Sequence, residues 1–215
     1  VVAAGVTQPD AVAKVLYETA DRAPAERNGA KKGDKWDEKY GFGRVDAAAA
    51  VAKAHSQPNG ARALLALALA ALSVLALRRR GQLGLSPRGG FALGLASGAA
   101  GPLFFLPWLG VSVGGASFLA QGLPSWDLGL LGAAWHGNLL FFSALVPVLA
   151  VGLLASTRAR GLVAGLSLGV AAHLAYSAFS GHVDLSLPGS VLDSAWLLGN
   201  AALAGLLGHL TLKRA

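Results

Sequence analysis

ALLALALAALSVLALRRR (Ala63–Arg80) holds fifteen residues without a charge, closed by three consecutive arginines. A helix rises 1.5 Å per residue and a bilayer core takes about 20 apolar residues, so this run is a short membrane span. Its flanks complete it, with Arg62 and Arg78 reaching back toward water on their long stems. Four more apolar runs follow at about 91–113, 129–155, 161–179 and 192–212. The 215 residues are 54% hydrophobic and 13% charged, well below the roughly 25% charged of soluble domains, which makes this a membrane protein by composition.

The connections between the runs carry an orientation. Arg78, Arg79, Arg80 and Arg88 follow the first run, Arg158 and Arg160 separate the third and fourth, and Lys213 and Arg214 follow the fifth. By the positive-inside rule these three places are cytoplasmic. The alternate connections, GGASFLAQGLPSWD and SGHVDLSLPGS, hold no Lys or Arg and only Asp127 and Asp184. The N-terminus is therefore expected outside and the C-terminus inside, with Arg62 as one exception. The net charge of +7 is accounted for by these helix ends, and no nucleic-acid partner is expected. The absence of Cys removes disulfides, thiolate metal sites and Cys nucleophiles.

Residues 1–60 live in a different solvent, since they hold 17 of the 29 Asp, Glu, Lys and Arg residues. Gly5 is suited to end a helix, and Thr7 to cap the next one. Pro9 and Asp10 fit its first turn, and Val12, Val15, Leu16 and Thr19 share one face. A polar stretch broken by Gly and Pro follows. Gly41 and Gly43 then bracket a tight backbone passage, and Asp46 caps an Ala-rich helix. Two such helices are too small to bury a core alone.

In order and spacing, Gly5-Val6-Thr7-x-Pro9-Asp10-Ala11-Val12, the LYETA that follows, and Tyr40-Gly41-x-Gly43-x-Val45-Asp46-Ala47 resemble the C-terminal end of the catalytic domain of subtilisin-like serine proteases. The resemblance covers about residues 1–54. It implies an exported α/β protease domain whose Asp, His, Ser and oxyanion-hole Asn lie upstream of Val1, so no catalytic residue is assigned in this chain. His55 and Ser56, adjacent in sequence, lack the spacing of a triad. The chain also lacks Met, and a piece of a longer protein is expected.

The expected fold is mainly α: a remnant of a subtilisin-like domain at 1–54, a linker at 55–62, and a five-helix transmembrane bundle at 63–215. The expected function is that of the C-terminal part of a membrane-anchored serine endopeptidase in the bacterial cytoplasmic membrane. Its partners are the lipid bilayer and, for the parent enzyme, a peptide or protein substrate. The alternative is a bundle with its own sensing, transport or cofactor-binding task.

Within the bundle, Gly161, Gly165 and Gly169 are four apart and form a face for close helix packing or dimerisation. Trp108, Trp126, Trp135 and Trp196 fall near outer ends, as interfacial anchors do. Pro102, Pro107 and Pro147 are expected to kink the second and third helices. Counting from helix ends places His136 and His173 about 9 Å below the outer edge. Asn138 and Asn200 are near that level, and His182 and Asp184 lie above it. These four, His136, Asn138, His173 and Asn200, form the expected intramembrane polar cluster, with the two rings facing each other. Two His without a third ligand fall short of a zinc set, so no metal or cofactor is assigned. His209 lies near the cytoplasmic end of the fifth helix, outside the cluster.

Overall fold

The computed structural model describes residues 9–27, 36–85, 87–109, 118–132, 135–154, 158–181, 183, 185 and 187–213. Gly5, Thr7, His182 and Asp184, and the side chains of His55, Ser56, Pro107 and Trp108, lie outside this description. The elements are α1 (Pro9–Thr19), α2 (Ala23–Arg27), α3 (Ala47–Arg79), α4 (Gly89–Ala99), α5 (Trp126–Leu131), α6 (Leu145–Leu154), α7 (Arg160–Ser180) and α8 (Ser190–Leu212). Among the described residues β-structure is limited to isolated bridges. The chain divides into two compact units, 1–57 and 58–215. The division falls inside the expected linker, 55–62, whose backbone is helical and belongs to α3.

In the first unit α1 buries Val15, while Thr19 Oγ1 donates back to the Val15 carbonyl at 2.7 Å. The chain returns so that Asp21 and Arg44 exchange both backbone hydrogen bonds, 2.7 and 2.9 Å long. Gly43 makes this possible: its φ is +110°, and a Cβ there would lie 2.7 Å from the Asp21 carbonyl oxygen. The Phe42 ring stacks on Tyr17 with centroids 3.9 Å apart. Asp46 Oδ1 accepts from the Ala49 N–H at 2.8 Å, which caps α3 as its sequence predicts.

The second unit is built around α7. Among the described residues three stretches are long and apolar enough to cross a membrane: 59–79 in α3, 160–180 in α7 and 190–212 in α8. Of these, α7 is 72% buried, against 22% for the α3 stretch and 28% for α8, so α7 is the central helix. One core cluster packs Ala66, Ala70 and Leu77 of α3 and Phe91 and Leu95 of α4 on Ala164, Leu168 and Ala172 of α7. The other packs Phe142, Leu197, Ala201 and Ala204 on Val170, Ala171 and Leu174. Leu64, Leu67 and Leu72 of α3 and Leu203, Leu206 and Leu210 of α8 are exposed, which suits hydrocarbon as the solvent.

Glycine sets the closest packing. Gly90, Gly94 and Gly98 of α4 repeat the four-residue spacing of Gly161, Gly165 and Gly169 of α7. A methyl on Gly94 would fall on the Leu162 carbonyl, one on Gly165 on the Phe91 carbonyl, and one on Gly98 2.5 Å from the Leu166 oxygen. The glycine face of α7 is thus used within the chain, against α4.

The two middle runs differ from the five full helices expected. The run 91–113 ends as a helix at Ala99: Ala100 and Gly101 both donate to the Ala96 carbonyl, Gly101 adopts φ +100°, and Pro102 has no N–H to continue. Pro102 therefore terminates the helix instead of kinking it. The run 129–155 breaks after Leu131, with Gly132 and Gly137 at φ +87° and +84°, and among the described residues the next α-helix starts at Leu145. Pro147 is accepted in the first turn of α6. With 11 residues α4 reaches about half a bilayer core, and the described part of α6 has 10.

The arginine-rich connections meet at one end of this unit. Gly84 N donates to the Leu212 carbonyl at 3.0 Å, and Arg160 Nε donates to the Thr211 carbonyl at 2.7 Å. Arg160 also donates to the Lys213 carbonyl.

Candidate functional site

Where α4 stops and where α6 starts, backbone groups are left without helical partners, and in a membrane no bulk water replaces them. Side chains of the long helices take that role. His173 of α7 is fully buried, and its Nδ1 donates to the Ala99 carbonyl at the end of α4, at 2.9 Å. A carbonyl only accepts, so the proton sits on Nδ1 and Nε2 accepts from the Ser125 hydroxyl at 3.1 Å. The 121–125 segment crosses the end of α4 so closely that a Cβ on Gly122 would strike both the Ala99 oxygen and His173 Nδ1. Asn59 of α3 holds the same segment by donating to the Ala120 carbonyl at 2.7 Å.

Asp127, also fully buried, organises the second break. Its Oδ1 accepts from Leu128 N at 2.7 Å, and its Oδ2 from Gly137 N at 2.8 Å and Asn138 N at 3.1 Å. His136 Nδ1 lies 3.1 Å from Oδ1. One carboxylate of α5 thereby satisfies three backbone donors and one imidazole, and of these Gly137 N, Asn138 N and His136 lie outside regular helix.

Asn200 of α8 serves the start of α6: its Oδ1 accepts from Ala144 N at 2.9 Å, and its Nδ2 donates to the Trp196 carbonyl. Trp196 Nε1 donates to the Phe142 carbonyl at 2.9 Å. Trp126 Nε1 donates to the Gln121 carbonyl, also at 2.9 Å. Both indoles are thus bonded inside the protein, while Trp135 is exposed.

The four residues expected as a cluster lie on these two breaks. His136 and His173 each pack edge-on against Phe142, with centroids 5.8 and 6.0 Å apart, so one phenyl ring touches both. Their polar partners are separate, Asp127 for one and Ala99 with Ser125 for the other. Asn138 Oδ1 accepts from Leu140 N and shapes a local turn.

Sequence reading passed over Ser125 and Asp127 because they sit in what reads as an outer loop. A lone carboxylate in an otherwise uncharged, Gly- and Pro-rich stretch was the available signal. Arg62, expected to snorkel, is only 6% exposed, with its guanidinium carbon 5.5 Å from the Tyr176 ring centroid. Burial against the protein places it inside the unit.

The Ser125–His173 contact has the tautomer of a general base, and the two backbone N–H groups next to the Ser125 hydroxyl are already bonded. Ser125 N is bonded to the Gly122 carbonyl and Trp126 N to Leu123, so neither is free for an oxyanion. No three His, Asp or Glu side chains converge among the described residues. The bonds these side chains make are to backbone groups at the breaks. Comparison with protein-family models, with curated proteins and with solved structures finds no match to this chain.

Proposed function

We propose that the chain is the C-terminal part of a membrane-anchored, subtilisin-like serine endopeptidase, with residues 1–54 closing the protease domain and the helical unit holding it at the outer face of a bacterial cytoplasmic membrane. The observation that carries this reading is the reciprocal Asp21–Arg44 backbone pairing under Gly43. It joins the helix of the PDAVAKVLYETA segment to the Tyr-Gly-x-Gly-x-Val-Asp segment in one compact unit, as neighbouring parts of one domain should be. The orientation draws support from the convergence of Gly84, Arg160, Leu212 and Lys213 at one end, since a shared level is what a shared cytoplasmic side requires.

The test is fluorophosphonate labelling of the protein immunoprecipitated from its own cells with an antibody to residues 36–57. Label on a serine upstream of Val1 is expected, and an unlabelled protein, or label on Ser125, overturns the reading. Topology is tested separately. Alkaline phosphatase fused after Gly60, Gly122 or Gly189 should be active, and fused after Arg80, Arg160 or Ala215 inactive. The reverse pattern removes the exported-protease argument.

A second reading, in which the helical unit has a task beyond anchoring, is favoured by the amount of buried polar machinery around α7. An anchor needs one span. This unit instead keeps two interrupted helices, with His173, Asp127 and Asn200 committed to their ends.

A further inference from the structure

Three polar atoms near one end of the α3 span are buried without a hydrogen-bond partner: Arg62 Nε, Asn59 Oδ1 and Gln121 Oε1. Asn59 and Arg62 lie three apart and so share a face of α3. Asn59 is fixed by its Nδ2 bond to the Ala120 carbonyl, which leaves Oδ1 as an acceptor and brings the neighbouring Gln121 to the same end of the helix. Arg62 lies over the Tyr176 ring, and among the described residues no carboxylate accompanies it. A buried guanidinium without a counter-charge is costly in any protein, and more so in a membrane, where an ionisable side chain marks a functional site by default.

The unmet groups define what would fit. Arg62 calls for an anionic oxygen, and the two amide oxygens call for hydrogen-bond donors beside it. The depth agrees with a headgroup. The α3 span is 21 residues long, about 30 Å, so Asn59 and Arg62 lie at the opposite interface from Arg78 and Arg79. We propose that Arg62, Asn59 and Gln121 form a binding site for a phosphate flanked by a hydrogen-bond donor, as in a phosphoethanolamine or phosphoglycerol lipid headgroup or in free hydrogen phosphate. Arg62 pairs with the phosphate, and the two amide oxygens read the donor.

The test uses the 215-residue chain purified in dodecyl maltoside without phosphate and offered phosphatidylethanolamine, phosphatidylglycerol or phosphatidylcholine of matched acyl chains. Retained lipid is counted by native mass spectrometry, and the thermal midpoint is recorded. The first two lipids should be retained about tenfold more than phosphatidylcholine, whose quaternary ammonium has no donor. Arg62→Gln should lower retention of all lipids about tenfold. Gln121→Leu, which keeps the charge and leaves Asn59 Oδ1, should weaken the discrimination against phosphatidylcholine while phosphate binding persists. Displacement of lipid by millimolar inorganic phosphate assigns the site to the free anion and supports it. Retention blind to headgroup, or unchanged in Arg62→Gln, overturns the proposal. So does an Arg62→Gln protein whose midpoint rises equally with and without lipid, which would leave only a buried water among the three atoms.

Discussion

Gly165→Ala is expected to unfold the helical unit far more readily than the parent chain, although Ala is the better helix former. A glycine inside a helix costs about 0.5–1 kcal/mol relative to Ala, so by propensity alone the substitution should stabilise. At Gly165 the added methyl falls on the Phe91 carbonyl, a backbone atom that no rotamer change can move. Relief requires α4 and α7 to separate along their length, which breaks contacts at Gly94, Gly98 and Gly169 together. Overpacking of this kind costs about 1–3 kcal/mol when side chains absorb it, and more when two backbones must part. Gly199→Ala on α8 is the matched control, because nothing lies within 4 Å of a Cβ there. It should leave the midpoint unchanged or raise it slightly. Detergent-solubilised protein titrated with SDS and followed by circular dichroism reads both. Equal midpoints for the two variants would mean that α4 and α7 do not meet through their glycines.

The same contrast shows which parts of the fold sequence could reveal. Helices α7 and α8 differ from the expected runs 161–179 and 192–212 by at most two residues per end, because hydropathy and length decide them. Hydropathy is blind to where the backbone breaks. Gly101-Pro102 and Gly132 interrupt two runs as apolar as the rest, and the interruption is tolerated only because His173, Asp127 and Asn200, up to 74 residues away in sequence, supply the missing partners. The His173 and Asn200 pairings span 74 and 56 residues, so no local pattern carries them. Of the four polar residues singled out from depth, His173 and Asn200 bond to Ala99 and Ala144 at the two breaks, while His136 and Asn138 bond to Asp127 and Leu140. What depth could not supply was the sorting of each His to its own partner, nor the burial of Arg62, whose position near a helix end reads equally well as a snorkelling residue. In the first unit the legible features were local ones, the Asp46 cap and the Gly43 passage.

Asp127→Ala should be the most damaging single change outside the glycine faces, and its effect should be confined first to residues 128–144. The substitution leaves the N–H groups of Leu128, Gly137 and Asn138 without their acceptor, two of them in a stretch that cannot form a helix to recover. Removing one partner from a buried, charge-assisted set typically costs about 3–5 kcal/mol. His136→Ala removes the fourth partner but leaves all three backbone donors satisfied, and its side chain is already 21% exposed, so the loss should be nearer 1 kcal/mol. Asp127→Asn tests the chemistry more finely. It keeps the volume but offers one acceptor oxygen where two are used, so Gly137 and Asn138 or Leu128 must lose a bond. Hydrogen exchange resolves the three cases. In Asp127→Ala the Gly137 and Asn138 amides should exchange at least a hundredfold faster, about 2.8 kcal/mol by the tenfold-per-1.4 kcal/mol relation, while the α7 amides stay protected. In His136→Ala they should change by less than about tenfold. If Asp127→Ala left Gly137 and Asn138 as protected as before, the carboxylate would not be what holds the break closed, and the polar layer would have to be reassigned to His173 and Asn200 alone.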